Sequence, residues 1–600
     1  MGFINPPPPP VPAEQFLPLP LRERMRILTT NWVEDGFGTP RVLHVVYVLK
    51  MLGLYFGVGI WIASATSDIA FTDIGSWYNN VVVYQKLAIW LMLLEVIGLG
   101  GAWGPLCGHF KPMTGNIRYW LRPGTIRMAP WRRVPLTGGD ERTVVDVLLY
   151  LGVLAALAYP LAAQAERVPA AFLPAGAGVQ ELVPAEAFVP ILVLMPLMGL
   201  RDKVIFLAAR SEQYLPIMLF SALFGTISST ADFVDLVVVF KIVICVVWIG
   251  AGVSKFGQHF ENVVPPMVSN SPGQLNVVKR AHYRNAPEDL RPSRVAWFMA
   301  HVGGTTVELL IPITLLLTTN ETIALLGALG MLTFHIFITS TFPLAVPLEW
   351  NVFFGFIAVV LWIGFDPGTY NIWDFSTPLL LIPVFALLTF GPVLGNLRPD
   401  LVSFLPSMRQ YAGNWASAVW AMRPGVEERL NELPGVHNQL DQLQEMLLPY
   451  SAGDAEITLQ KALAWRCMHS QGRGLFSVLY DHLPDLEQRV IREGEFVCNT
   501  IVGWNFGDGH LHDERLIAAV QKRLNLAPGD LVVAYVESQP IHKKTQQYRI
   551  IDAALGVVER GEWTVADCVR EQPWLPNGPV PLRVHWTAPG YTRPTLTPSG

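Results

Sequence analysis

The apolar runs decide what this chain can be. Before residue 396 the sequence repeatedly strings together nearly uncharged stretches. Several reach roughly 18 residues, the length that crosses the hydrocarbon core of a bilayer. We place spans near 42–63, 82–103, 144–163, 187–208, 212–228, 235–253, 296–318, 323–342, 350–366 and 377–395. The fifth is short and reads as re-entrant or as fused to the fourth. Only 15% of the 600 residues are charged, where soluble domains carry about a quarter. The expected fold class is an α-helical multi-spanning membrane protein of about ten spans, with about eight as the lower bound, carrying a C-terminal soluble α+β domain.

Loop charge supplies the orientation. Arg22, Arg24, Arg26 and Arg41 precede the first run, and loop 104–143 runs from Lys111 to Arg142 with seven basic residues. Loop 254–295 carries Lys255, Lys279, Arg280, Arg284, Arg291 and Arg294, and Arg398, Arg409 and Arg423 follow residue 396. Segments 64–81 and 367–376 have no Lys or Arg, and 164–186 has one. Basic loops stay cytoplasmic. Ten spans put every basic loop inside, with both termini cytoplasmic.

Four regions follow: a proline-rich cytoplasmic arm (1–40), a transmembrane domain (41–395), a helical linker (396–454) and the soluble α+β domain (455–600). The five consecutive prolines in MGFINPPPPPVPAEQFLPLPL favour an extended, solvated arm, and no signal-peptide core is visible. In the tail, VEERLNELPGVHNQLDQLQEMLL has a helical period broken by a proline. FVCNTIVGW, DLVVAYVES and PLRVHW read as strands, and DERLIAAVQKRL reads as a helix capped by Asp513. The five cysteines form no CxxC pair and read as free thiols. A net charge of -5 gives no nucleic-acid signal.

Ionisable groups inside spans are costly and usually face a partner or a cavity. Lys50 and Glu95 fall at matching depth on the first two spans and read as a structural ion pair. His301, Thr305 and Glu308 recur at i, i+4 and i+7, the spacing of one helix face. An acid and an imidazole on one face suit proton transfer, and an interhelical hydrogen-bond seam explains them equally well. His335 and Thr339 lie one turn apart. Lys255 sits where an apolar run ends in WIGAGVSKFG, so anchoring at the headgroups is its simplest role. In GDGHLHDE, His510 and His512 are weak metal candidates, and a turn before a helix explains them better. No phosphate-loop, hydrolase or dinucleotide motif occurs.

At Lys255 the sequence resembles a known group. VVWIGAGVSKFGQHFENVV is similar, through Trp248, Ala251, Gly252 and Lys255, to the Y-F-I-A-G-x-x-K-L segment of vitamin K-dependent γ-carboxylases. It is equally similar to the broader bacterial horizontally transferred transmembrane (HTTM) family. VGGTTVELLIPITLLL and GMLTFHIFITSTF resemble that family's next two motif helices. The whole chain also resembles a family of uncharacterised actinobacterial transmembrane proteins common in mycobacteria. The resemblance implies that Lys255 is a base acting on a quinone, menaquinone in such bacteria, with His335, His301 and Glu308 as proton partners. Trp248, Gly252, Thr305 and Thr339 would line the ligand site. It further implies that Lys255→Ala abolishes activity without unfolding the protein.

The residues after Lys255 depart from the carboxylase pattern, and its lysine works on the opposite side of the membrane, so glutamate carboxylation is not carried over. Two other expectations stand beside a quinone- or lipid-directed enzyme. One is a non-catalytic lipid-binding or envelope-biogenesis scaffold, for which the proline arm serves as a docking segment. The weaker one is a transporter. The bilayer and a lipid or quinone are the expected partners.

Overall fold

The computed structural model describes residues 4, 7–100, 109–111, 114–131, 133–341, 348–402, 412–446, 448–504 and 513–594. Among the described residues, ten helices lie along the expected runs. They are α1 (Arg41–Ala65), α2 (Val81–Ile97), α3 (Val144–Ala162), α4 (Val189–Arg201), α5 (Ser211–Phe224), α6 (Thr230–Ser254), α7 (Arg294–Leu317), α8 (Glu321–Thr341), α9 (Glu349–Gly364) and α10 (Pro378–Leu397). Among the described residues, six of them, α1, α3, α6, α7, α8 and α10, are long and apolar enough to cross a membrane. The other four are shorter, for local reasons. Gly98, at φ 84°, ends α2 in the left-handed conformation that side chains avoid. Asp202 and Arg210 interrupt the chain between α4 and α5. The central helix is α6, with every residue from Phe233 to Cys245 buried, as an all-round apolar sequence requires.

Helix-end loops collect at two faces. At one, Arg167 pairs with Asp68 at 2.6 Å, Asn80 donates to the Val179 carbonyl, and the Ser376 amide donates to Asp235. At the other, the basic loops meet the N-terminal helix and the tail. The Trp32 indole donates to the Pro266 carbonyl, Lys522 and Arg523 both reach Asp140 at 3.0 Å, and the His109 ring lies 2.6 Å from the Trp504 carbonyl. Sequence charge therefore sorts with the observed faces.

The tail carries a six-stranded antiparallel sheet. Its strands are β1 (Ser417–Met422), β2 (Val490–Glu493), β3 (Leu531–Val536), β4 (Thr545–Asp552), β5 (Gly556–Thr564) and β6 (Leu582–Thr587). They lie in the order β6-β5-β4-β3-β1-β2. Alternation divides its residues cleanly. Val419, Ala421, Val532 and Ala534 pack on helices Ala452–Met468 and Ser470–His482. Ala418, Trp420, Val533 and Tyr535 join the core that continues into the membrane helices.

Two sequence expectations are corrected here. FVCNTIVGW is helical, not a strand: Gly494–Val502 is an α-helix with Glu493 accepting from the Phe496 amide and Gly503 at φ 74° closing it. All nine residues are buried, Glu495, Asn499 and Thr500 included, so no exposed face marked the helical period. The N-terminal arm is not simply extended. Residues 7–9 have no regular structure, but Leu21–Asp35 is a helix. Leu21, Met25 and Leu28, one face of that helix, are buried in the tail's own core. The four described cysteines are free and buried.

The junction should be acid-sensitive. His259, just beyond α6, is buried with its Nδ1 2.7 Å from the Ser470 hydroxyl. Burial pushes its imidazole from the ordinary 6.5 down to about 4. Once exposed by undocking or unfolding, the ring takes up a proton below 6.5, whereas the folded protein stays neutral until about 4. This contribution to stability is complete above pH 6.5 and is lost as pH falls to 4. We expect the thermal midpoint in detergent to fall across that window, and less steeply in His259→Asn. Parallel wild-type and variant curves would remove His259 as the cause.

Candidate functional site

The site begins with a glycine. A Cβ added at Gly252 of α6 would lie 2.9 Å from Leu309 Cγ and 3.2 Å from Glu308 Cβ. Only a residue without a side chain lets α7 approach this closely. One turn later Lys255 ends α6, and its ammonium forms an ion pair with Glu308. Both are buried, with side chains only 6% exposed. Lys255 does not reach for the headgroups. Its ammonium instead lies 5.1 Å from the Phe260 ring and 5.7 Å from the Phe334 ring, within the range of cation–π attraction.

A second polar chain crosses the neighbouring helices. The Trp248 indole N–H of α6 donates to His335 Nε2 of α8 at 2.9 Å. An indole nitrogen can only donate, so Nε2 accepts and the ring proton sits on Nδ1. Nδ1 then donates to Asn351 Oδ1 of α9, also at 2.9 Å. The other face of Trp248 stacks on Trp362, with ring centres 5.8 Å apart.

These groups border a cavity of about 220 Å³. Lys255, Glu308, His335 and Asn351 are its polar groups, and Met267, Met299, Phe337, Ile338, Trp350 and Phe354 are among its apolar walls. A volume below the roughly 300–1,000 Å³ of sites that enclose a whole drug-sized ligand fits a ring-sized head group better.

Several expected members are elsewhere. His301 does not line the cavity: it is half-buried and packs on the Trp297 ring at 5.4 Å. The reason is the π-helical turn Met299–Gly304, which contains His301 and ends just before Thr305. Its wider winding rotates His301 away from the face that a regular helix would give it. Thr305 spends its hydroxyl on the Ala300 carbonyl inside this turn, and Thr339 spends its own on the His335 carbonyl. Neither lines the cavity, and Gly252 serves helix contact alone. The metal candidates His510 and His512 lie outside the described residues.

The expected Lys50–Glu95 pair belongs to a larger buried network. The Lys50 ammonium donates to the Gly100 carbonyl, and Gly100 in turn abuts the Glu95 carboxylate. Glu95 makes its ion pair with Arg210 at 3.6 Å, and Arg210 also faces Glu349 at 3.8 Å. The Arg210 guanidinium lies over Trp350, a cavity wall, and near Trp504 of the tail. Lys86 and Lys241, also buried, are held by backbone carbonyls: Pro160, Leu161 and Ala163 for the first, Phe365 and Tyr370 for the second. Such carbonyls at helix ends are natural acceptors for cations.

Sequence reading missed Asn351, Arg210 and Glu349. Glu349 starts an apolar run and Arg210 separates two weak ones, so both looked like ordinary boundary charges. An arginine directly after the apolar run VIFLAA, with the apolar run YLPIMLF resuming four residues later, was the available signal for Arg210.

A family model described as "Transmembrane protein of unknown function" (DUF3556) matches residues 1–585. No curated protein and no solved structure matches the chain.

Proposed function

Because the chain belongs to the DUF3556 family of transmembrane proteins, we propose that the Lys255 cavity binds the polar head of a lipophilic ligand, of quinone or lipid class, inside the membrane. One observation carries this: a lysine at a helix end is turned inward, paired with Glu308 and placed on a cavity wall. A purely anchoring lysine would extend to water. The aromatic walls suit a flat ring, and the ammonium and the Asn351 amide are donors for a ring oxygen.

The pair also limits any chemistry. Lys255 can act as a base only after passing a proton to Glu308. Within the pair a proton can shift between amine and carboxylate with no change of net charge, which a lone lysine in an apolar cavity cannot do. His335 is not the proton exchanger of this reading, because both ring nitrogens are occupied by Trp248 and Asn351. It is a positioning residue that holds the Trp248 wall. Ten passes, with the basic faces and both termini cytoplasmic, complete the proposal; the collection of the basic loops at the tail's face supports it.

Lys255→Ala is a poor test, since it strands the Glu308 charge. The apolar double variant Lys255→Met with Glu308→Met removes both charges. Native mass spectrometry of the full chain, extracted in mild detergent, should show a quinone- or lipid-mass adduct on the wild type. The double variant should lose it while keeping a similar thermal midpoint. Adduct-free wild type, or equal retention by both, would overturn the reading. A retained phospholipid lacking any redox-active partner would favour the scaffold.

A further inference from the structure

A second and larger cleft lies where the membrane helices meet the tail's sheet. It has a volume of about 1280 Å³ and shares no residue with the Lys255 cavity. One wall belongs to the bilayer side, with Leu200 of α4, Phe206 of the following short helix, and Leu397 and Leu401 at the end of α10. Leu397 and Leu401 are more than half exposed, so this wall opens directly onto apolar surroundings. The opposite wall belongs to the sheet and is cationic. Trp131 and Trp586, exposed by 57% and 41%, stand at the lining of the same cleft. Exposed tryptophan is characteristic of the headgroup level of a membrane.

The charges are unbalanced. The cleft is lined by six lysine and arginine side chains against four carboxylates, with a fifth, Glu514, pairing Arg549 from just outside the lining. Arg398, Arg515 and Arg549 are engaged by Asp400, Asp513 and Glu514 at 2.7, 2.8 and 2.9 Å. Lys543, in the loop before β4, and Arg560, on β5, both line the cleft and form no ion pair among the described residues. Lys543 lies in the basic loop QPIHKKTQQ, a motif that the Lys255 cavity does not use. Arg560 rests 5.9 Å from the Trp586 ring.

We propose that this cleft binds an anionic amphiphile, with a phosphate head at Arg560 beside Trp586, Lys543 adding positive charge elsewhere on the lining, and its apolar chain along Leu200, Phe206 and Leu397. A purely aqueous anion would leave the leucine wall unfilled, and a neutral lipid would leave the cationic surplus unanswered. An amphiphile crosses from one wall to the other as the cleft does. The volume exceeds a headgroup and admits part of a chain. The same head-and-chain chemistry is offered by a membrane phospholipid and by a water-soluble alkyl phosphate.

The test uses the full chain in phosphatidylcholine nanodiscs with two photoactivatable diazirine probes. One is phosphatidic acid placed in the disc, and the other is dodecyl phosphate added from the aqueous phase. Cross-links should map to peptides containing Gly199–Phe206 or Leu397–Leu401. Labelling by the membrane probe alone assigns the ligand to the bilayer, and labelling by the soluble probe alone assigns it to an alkyl phosphate. Lys543→Gln with Arg560→Gln should cut labelling by about thirtyfold, given the usual attraction of about 1 kcal/mol per basic residue at an anionic surface. Both residues are exposed, so the variant should fold with the wild-type thermal midpoint. A diazirine phosphatidylcholine probe on the wild type gives a reading independent of the variant, and it should label these peptides weakly. No labelling there by either anionic probe, unchanged labelling in the variant, or equal labelling by the neutral probe would overturn the proposal.

Discussion

Lys255→Ala should destabilise the protein by about 3–5 kcal/mol, the usual cost of breaking a buried ion pair by removing one partner. The magnitude comes from what is left behind. Glu308 sits in the α6–α7 contact that Gly252 makes possible, with its side chain 6% exposed. Without Lys255 its carboxylate faces Phe260, Phe334 and the cavity's methionines, none of which can solvate it. Lys255→Met with Glu308→Met should recover most of the loss, since replacing a whole buried pair by apolar groups is often neutral. Denaturation of wild type, both single variants and the double variant in mixed micelles closes the cycle. Single variants as stable as the wild type would mean that the pair is hydrated, and the cavity reading would fall with it. The cycle also separates function from folding: ligand lost in a stable double variant is a binding effect.

The sequence made the lysine legible, but not its partner's reason for being there. Lys255, Glu308, His335 and Trp248 do converge on one cavity. They were readable because each is a polar or aromatic exception within an apolar run, and such exceptions are few. His301 was misplaced because periodicity assumes 3.6 residues per turn, and nothing in MAHVGG announces the π-helical turn that breaks it. Asn351 was passed over because one amide near a helix start is unremarkable until His335 is seen beside it. In the tail, β3 and β6 were legible from their β-branched and aromatic runs, and Glu514–Leu524 from its cap at Asp513. Gly494–Val502 was not, since a helix buried on every side has no pattern to show. Long-range assembly was the least legible: the N-terminal helix gives its apolar face to a domain more than 400 residues away, where Leu21, Met25 and Leu28 share a core with Leu475 and Leu479 and the Leu21 amide donates to Glu487.

Arg210→Met should have the largest effect of any single change at the membrane–tail junction, above the roughly 3–5 kcal/mol of a single broken buried pair. Arg210 is fully buried and faces two carboxylates, Glu95 at 3.6 Å and Glu349 at 3.8 Å. Its backbone adds evidence that the side chain is what the position requires. At φ 55° it occupies the left-handed region, where glycine is the unstrained residue and others are held at a cost of about 1–3 kcal/mol. A chain that places arginine there accepts the strain for the sake of the guanidinium. Arg210→Gly should therefore be less damaging than Arg210→Met by about 1 kcal/mol, because it relieves the backbone while losing the same charge. Since Arg210 lies between Trp350 of α9 and Trp504 of the tail, its loss should also loosen the two domains. Hydrogen exchange should rise first in Gly494–Val502, the helix that precedes Trp504, before it rises in the sheet strands β3 and β4. Unchanged exchange in that helix, or equal stability of the methionine and glycine variants, would show that the network neither ties the junction nor explains the strained backbone.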